Sequence, residues 1–85
     1  MRYKVILNRK AQKDLALLKQ MGLAEKAMAL AKSMQDNPYA PPYEKLRGDL
    51  AGAYSRRLNI QHRMVYWVDE EKHEVRIVRM WTHYE

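Results

Sequence analysis

The chain has no cysteine and no phenylalanine, and only three glycines and three prolines among its 85 residues. Without thiols it can form neither disulfide staples nor a thiolate metal site, a composition that fits a reducing compartment and gives the cytoplasm as the expected location. The three glycines are scattered, which excludes a glycine-rich phosphate cradle. No apolar run approaches the roughly 20 residues that a bilayer-spanning helix requires. The opening MRYKVILNRK has neither a signal-peptide apolar region nor a cleavage site, so no membrane partner is expected. A chain of this length supports one small domain over 1–85 and no second core.

What the sequence does contain is positive charge and tyrosine. Sixteen Lys and Arg face ten Asp and Glu, for a formal charge of +6. That balance suits a polyanionic partner: nucleic acid, an acidic membrane face or an acidic protein. Six tyrosines and two tryptophans can stack on bases or fill a small core, and composition alone does not choose between them.

Hydrophobic periodicity predicts an α+β chain in the order β-α-α-β-β-β-β. RYKVIL at 2–7 alternates as a strand. Asn8 offers an N-cap to a helix running to about residue 20, with Ala11, Leu15 and Leu18 on one stripe and Lys10, Lys13 and Asp14 pointing elsewhere. Gly22 is a left-handed stop. A second helix carries Leu23, Ala27, Leu30, Ala31 and Met34 on its stripe and should end near Asn37-Pro38. Beyond the prolines the pattern predicts strands at 43–48, 53–59, 62–68 and 74–81. GDLAG at 48–52 reads as a turn and DEEKH at 69–73 as a hairpin loop. The helix pair is expected on one face of an antiparallel sheet, leaving the other face open.

The candidates for chemistry are few. No metal-ligand spacing occurs among His62, His73 and His83, and Ser55 lacks the GxSxG surroundings of an activated nucleophile. His73, in the charged loop, reads as solvated surface. Metal-free cleavage of RNA beside its 2′-hydroxyl needs a base, an acid and fixed positive charge on the phosphorane. Glu44 can serve as base and His83 as acid, with Arg57 and Arg63 supplying planar, permanently charged forks. Residue chemistry leaves a plain alternative open, in which Arg56 and Arg57 form a solvated basic strand face paired to the DEEKH loop.

The ordered blocks are more specific than any one residue. Glu44-Lys45-Leu46, Leu50-Ala51-Gly52, Ser55-Arg56-Arg57, His62-Arg63-Met64-Val65-Tyr66 and His83-Tyr84 follow one another as in the YoeB/Txe toxins of the RelE superfamily, which the C-terminal half resembles closely and the helical half in layout. The resemblance implies a RelE-like fold and a ribosome-dependent mRNA endonuclease acting in the 30S A site without a cofactor, held silent by a cognate antitoxin protein. It implies Glu44 as general base, Arg63 as phosphate-stabilising group and His83 as general acid. Arg57, Arg56 and Tyr84 would be substrate-binding. His62 becomes a structural neighbour. The chain departs from the pattern in ending with Glu85 after the His-Tyr pair, and in a helical half richer in Lys. Two rivals are a non-catalytic relative that poisons gyrase by protein binding, and a basic RNA-binding module. Monomer and dimer are both open.

Overall fold

The computed structural model describes residues 2–59 and 62–80. Strand β1 (Lys4–Leu7) leads into helix α1 (Arg9–Gln20) and helix α2 (Ala24–Ser33). Four strands follow: β2 (Glu44–Lys45), β3 (Tyr54–Arg57), β4 (Arg63–Asp69) and β5 (Glu74–Arg79), with a single 3₁₀ turn (Gly48–Leu50) between β2 and β3. The predicted order holds, although most of the strands are shorter than their patterns suggested.

Local chemistry explains the helix boundaries. The Asn8 side chain accepts from the Ala11 N–H at 2.8 Å and caps α1 as expected. Gly22 sits at φ +76°. There the Leu23 N–H reaches the Leu18 carbonyl and the Gly22 N–H reaches Lys19, closing α1 in the paired pattern that a left-handed glycine permits. Helix α2 ends at Ser33, short of the predicted Asn37-Pro38. Ser33 Oγ donates back to the Leu30 carbonyl at 2.6 Å, and the Gln35 and Asp36 N–H groups bond three residues back, tightening the helix into turns before proline is reached.

The strands form one mixed sheet in the order β1-β5-β4-β3-β2. β2 to β5 make the expected antiparallel meander, while β1 joins parallel to β5. Ala11, Leu18, Ala27, Ala31 and Met34 from the helices are buried against Met64, Tyr66, Val75, Ile77 and Met80. The alanines let the helices lie close, and the larger side chains fill the space between. One expectation fails here. Asp14 does not point away from the core but is 5 % exposed, because the end of β5 brings Arg79 Nε to its carboxylate at 2.8 Å and the Met80 N–H at 3.1 Å.

Alternation along the strands then sorts the two faces. Met64 and Tyr66 of β4 belong to the helix-side core, so Arg63 and Val65 face the other way. Their cross-strand partners are Arg57 and Ser55, and Glu44 lies opposite Ser55. Glu44, Arg57 and Arg63 therefore share the face that the helices leave uncovered, whereas Arg56, opposite Met64, lies on the helix side. No helix among the described residues is long and apolar enough to cross a membrane.

Candidate active site

Glu44 and Arg63 come from strands on either side of β3 and meet across it. Arg63 Nη1 donates to Glu44 Oε1 at 2.8 Å, with the carboxylate side chain 58 % exposed and the guanidinium 26 %. Arg57 stands directly opposite Arg63 in the ladder. Like charges facing each other are unfavourable, and the Glu44 carboxylate offsets that repulsion. The result is a carboxylate and two cations on an open sheet face.

Beside this pair lies a small cavity of about 170 Å³, lined by Pro42, Tyr43, Glu44, Ser55, Arg56 and Arg57. Its origin is legible in the register. Glu44 pairs with Ser55 and Lys45 with Tyr54, so continuing the ladder would place Pro42 opposite Arg57. Proline has no N–H to donate, and the strands part there. Neither Arg56 nor Arg57 pairs with the 69–73 turn among the described residues, which removes the salt bridge allowed by the plain reading.

A tyrosine network holds the proline-rich approach to Glu44. The Tyr66 hydroxyl donates to the Pro38 carbonyl at 2.8 Å. Burial pushes the Tyr66 phenol up to about 12, with the Arg56 charge acting in the opposite sense. Tyr54 stacks on Tyr66 and meets Tyr39 and Tyr43 edge-on. Tyr39 and Tyr3 both donate to the Glu70 carboxylate, which ties the loop to the β4–β5 turn. These hydrogen bonds, that of Tyr39 foremost, hold the Glu70 carboxyl below its ordinary value. Burial, then Glu70, raises Tyr39 above the usual phenol range.

The remaining expectations divide. His62 is 7 % exposed and lies at the end of the turn between β3 and β4, where its N–H donates to Asn59 Oδ1 at 2.7 Å. His73 is not the solvated surface residue expected. It takes a left-handed φ of 52° and stacks on Tyr3 at 5.0 Å, half-buried, because the parallel pairing of β1 carries Tyr3 to that turn. His83 and Tyr84, with Glu85, lie outside the described residues. Sequence reasoning misplaced Asp14 and did not single out Tyr39 or Glu70. The one visible trace of the Tyr39–Glu70 network was the excess of tyrosine.

A helix pair on a mixed five-stranded sheet, with this charged open face, is the architecture of RelE-superfamily toxins. Residues 9–84 match the profile of the YoeB-like toxin of bacterial type II toxin–antitoxin systems, and the chain belongs to that family. Among solved structures, it resembles the YoeB/ParE toxin from Agrobacterium tumefaciens, with a TM-score of 0.85 and 27% identity over 95% of this chain and 99% of that one. The YoeB dimer from Staphylococcus aureus gives 0.80 and 31% over 99% and 100%. The YoeB–YefM complex from the same organism gives 0.78 and 31% over the same shares. No curated protein is a significant match.

Proposed function

We propose that this toxin is a ribosome-dependent mRNA endonuclease that cuts in the A site by metal-free acid–base chemistry. Glu44 takes the proton of the 2′-hydroxyl, whose oxygen attacks the adjacent phosphorus. Arg63, with Arg57 on the same face of the sheet, balances the charge of the phosphorane, and Arg56 contributes to substrate binding. His83 protonates the departing 5′-oxygen, leaving a 2′,3′-cyclic phosphate on one fragment and a free 5′-hydroxyl on the other. Tyr84 assists in holding the substrate. Each acid–base group contributes on the order of 10²–10⁴-fold.

The observation that carries this reading is the Glu44–Arg63 contact at 2.8 Å. In the free protein the guanidinium occupies itself with the carboxylate. A phosphate arriving at Arg63 competes for that fork and leaves Glu44 within reach of the neighbouring sugar. The +6 charge favours approach to RNA and equally favours capture by an acidic, partly disordered antitoxin. That cognate antitoxin silences the toxin by covering the cleft or by displacing the His83-Tyr84 tail, a few ångströms being enough to abolish attack geometry.

Mapping mRNA 5′ ends after induction tests the proposal. Cuts at a fixed offset within the A-site codon, lost in Glu44→Ala and His83→Ala, are the expected result. Toxicity that persists in both variants with mRNA cut as before overturns it. Toxicity with intact mRNA and stalled replication indicates a gyrase poison instead.

A further inference from the structure

Glu44 is the last rung of its ladder. β2 pairs with β3 through Glu44–Ser55 and Lys45–Tyr54, and the Leu46 N–H carries the pairing on to the Ala53 carbonyl. Before Glu44 the chain runs Tyr39-Ala40-Pro41-Pro42-Tyr43, and a proline adds no ladder bond. An end rung held from one side only opens easily. Two contacts from other elements brace this one. The buried Tyr66 hydroxyl donates to the Pro38 carbonyl at 2.8 Å, and the Tyr39 hydroxyl donates to the Glu70 carboxylate in the β4–β5 turn. The Tyr39 and Tyr43 rings both stand edge-on to Tyr54, at 5.7 and 5.4 Å. Between them Pro41 and Pro42 have φ fixed by their rings, and each restricts the residue before it. The segment therefore passes a displacement at Tyr39 on to Glu44 instead of absorbing it.

We propose that Tyr39 and Glu70 are positioning residues, whose hydrogen bond holds the proline strut and, through it, the Glu44 carboxylate where it takes the 2′-hydroxyl proton. The inference rests on Glu44 acting as base in the cleavage reading and adds what fixes it in place. The Glu44 side chain is 58 % exposed, so little packing restrains it, and in the free protein Arg63 is its anchor. Once a phosphate takes the Arg63 fork, the backbone alone sets where the carboxylate lies. The strut matters most at that moment, because attack geometry is sensitive to small misplacements. Tyr3 donates to the same Glu70 carboxylate at 2.9 Å but precedes β1 and is not part of the strut, which makes it an internal control.

The test is single-turnover cleavage on programmed ribosomes. Tyr39→Phe keeps the ring and loses only the hydroxyl, while Glu70→Ala removes the acceptor from the other side. Each should lower the rate at saturating toxin by about tenfold with the half-saturating concentration unchanged, and the double variant should be no slower than either single one. Glu70→Gln, whose amide oxygen still accepts, should recover most of the rate. Tyr3→Phe should leave it unchanged. The deciding measurement is made in Glu44→Ala, where adding Tyr39→Phe should slow the residual reaction no further. A loss that persists there, or an equal loss in Tyr3→Phe, marks a general structural role and overturns the inference, as does an unchanged rate in Tyr39→Phe. NMR of the free toxin separates this from the cleavage reading: the Arg63 Nε–Hε signal should move in Tyr39→Phe toward its position in Glu44→Ala. That movement in a toxin that cuts no mRNA sinks only the nuclease. Cleavage with neither rate nor signal altered by Tyr39→Phe sinks only the positioning.

Discussion

Asp14 and Arg79 join the first helix to the last strand. The Asp14 carboxylate, almost wholly buried, accepts from Arg79 Nε at 2.8 Å and also from the Met80 N–H at 3.1 Å. Removing one partner of such a pair leaves an uncompensated charge and an orphaned backbone donor. Breaking a buried ion pair costs about 3–5 kcal/mol, and Arg79, more than a third exposed, can turn to water, so the lower end applies. Asp14→Ala should lower stability by about 3 kcal/mol, read as a shift in the urea midpoint at unchanged slope. A loss below about 1 kcal/mol would mean that the pair is no better than a surface bridge. Asp14→Asn, which can still accept from Met80, should lose less.

That pair also shows where sequence reading stopped. The helix stripes, the Asn8 cap and the Gly22 stop were legible because each depends on residues a few positions apart. Asp14 looked like a solvated helix residue because its partners lie 65 and 66 positions away, and no local period encodes them. The same limit hid the Tyr3–His73 stack, which follows from the parallel pairing of β1 with β5. Glu44 and Arg63 were proposed from residue chemistry and then assigned roles through ordered blocks of residues. Their contact across β3 needed the strand register, and the cavity beside them needed Pro42 to be set against Arg57.

Arg63 separates chemistry from stability. Its partner carboxylate is mostly exposed, so the ion pair itself is worth no more than about 1 kcal/mol. Arg63→Ala should therefore melt near the parent temperature yet lose on the order of 10²-fold or more in mRNA cleavage. Arg63→Lys keeps the charge but not the planar fork and should recover only part of the activity. Single-turnover cleavage on programmed ribosomes measures both. Full activity in Arg63→Ala would remove Arg63 from the mechanism.

Glu70 makes a prediction in acid. Its carboxyl is held below its ordinary value, first by the Tyr39 hydrogen bond and then by Tyr3. A lowered acid contributes stability that is complete above the unfolded value and fades as pH falls through the folded one. The stability difference between the parent and Glu70→Gln should be constant from neutral pH down to about 5 and shrink below 4.5. Urea titrations at several pH values test this. A difference that persists unchanged to pH 3 would show that the ionised carboxylate is not what the tyrosines hold.

Gly52 offers the sharpest steric test. It takes φ +100°, and a Cβ built on it would stand 2.9 Å from Trp67 Cζ3. Gly48 takes φ +69° with nothing within 4 Å of its Cβ position. Both alanine variants force an L-residue into left-handed backbone, costing about 1–2 kcal/mol. Only Gly52→Ala adds the collision with Trp67, whose ring sits on the open face one strand beyond β3. Gly52→Ala should therefore be the less stable of the two by at least about 1 kcal/mol, with the Trp67 fluorescence altered. Trp67→Leu in the same background should restore part of the loss, since the ring is then gone and only the backbone strain remains. Equal destabilisation by the two alanines, with no rescue, would show that Trp67 yields freely and that the glycine is required for its conformation alone.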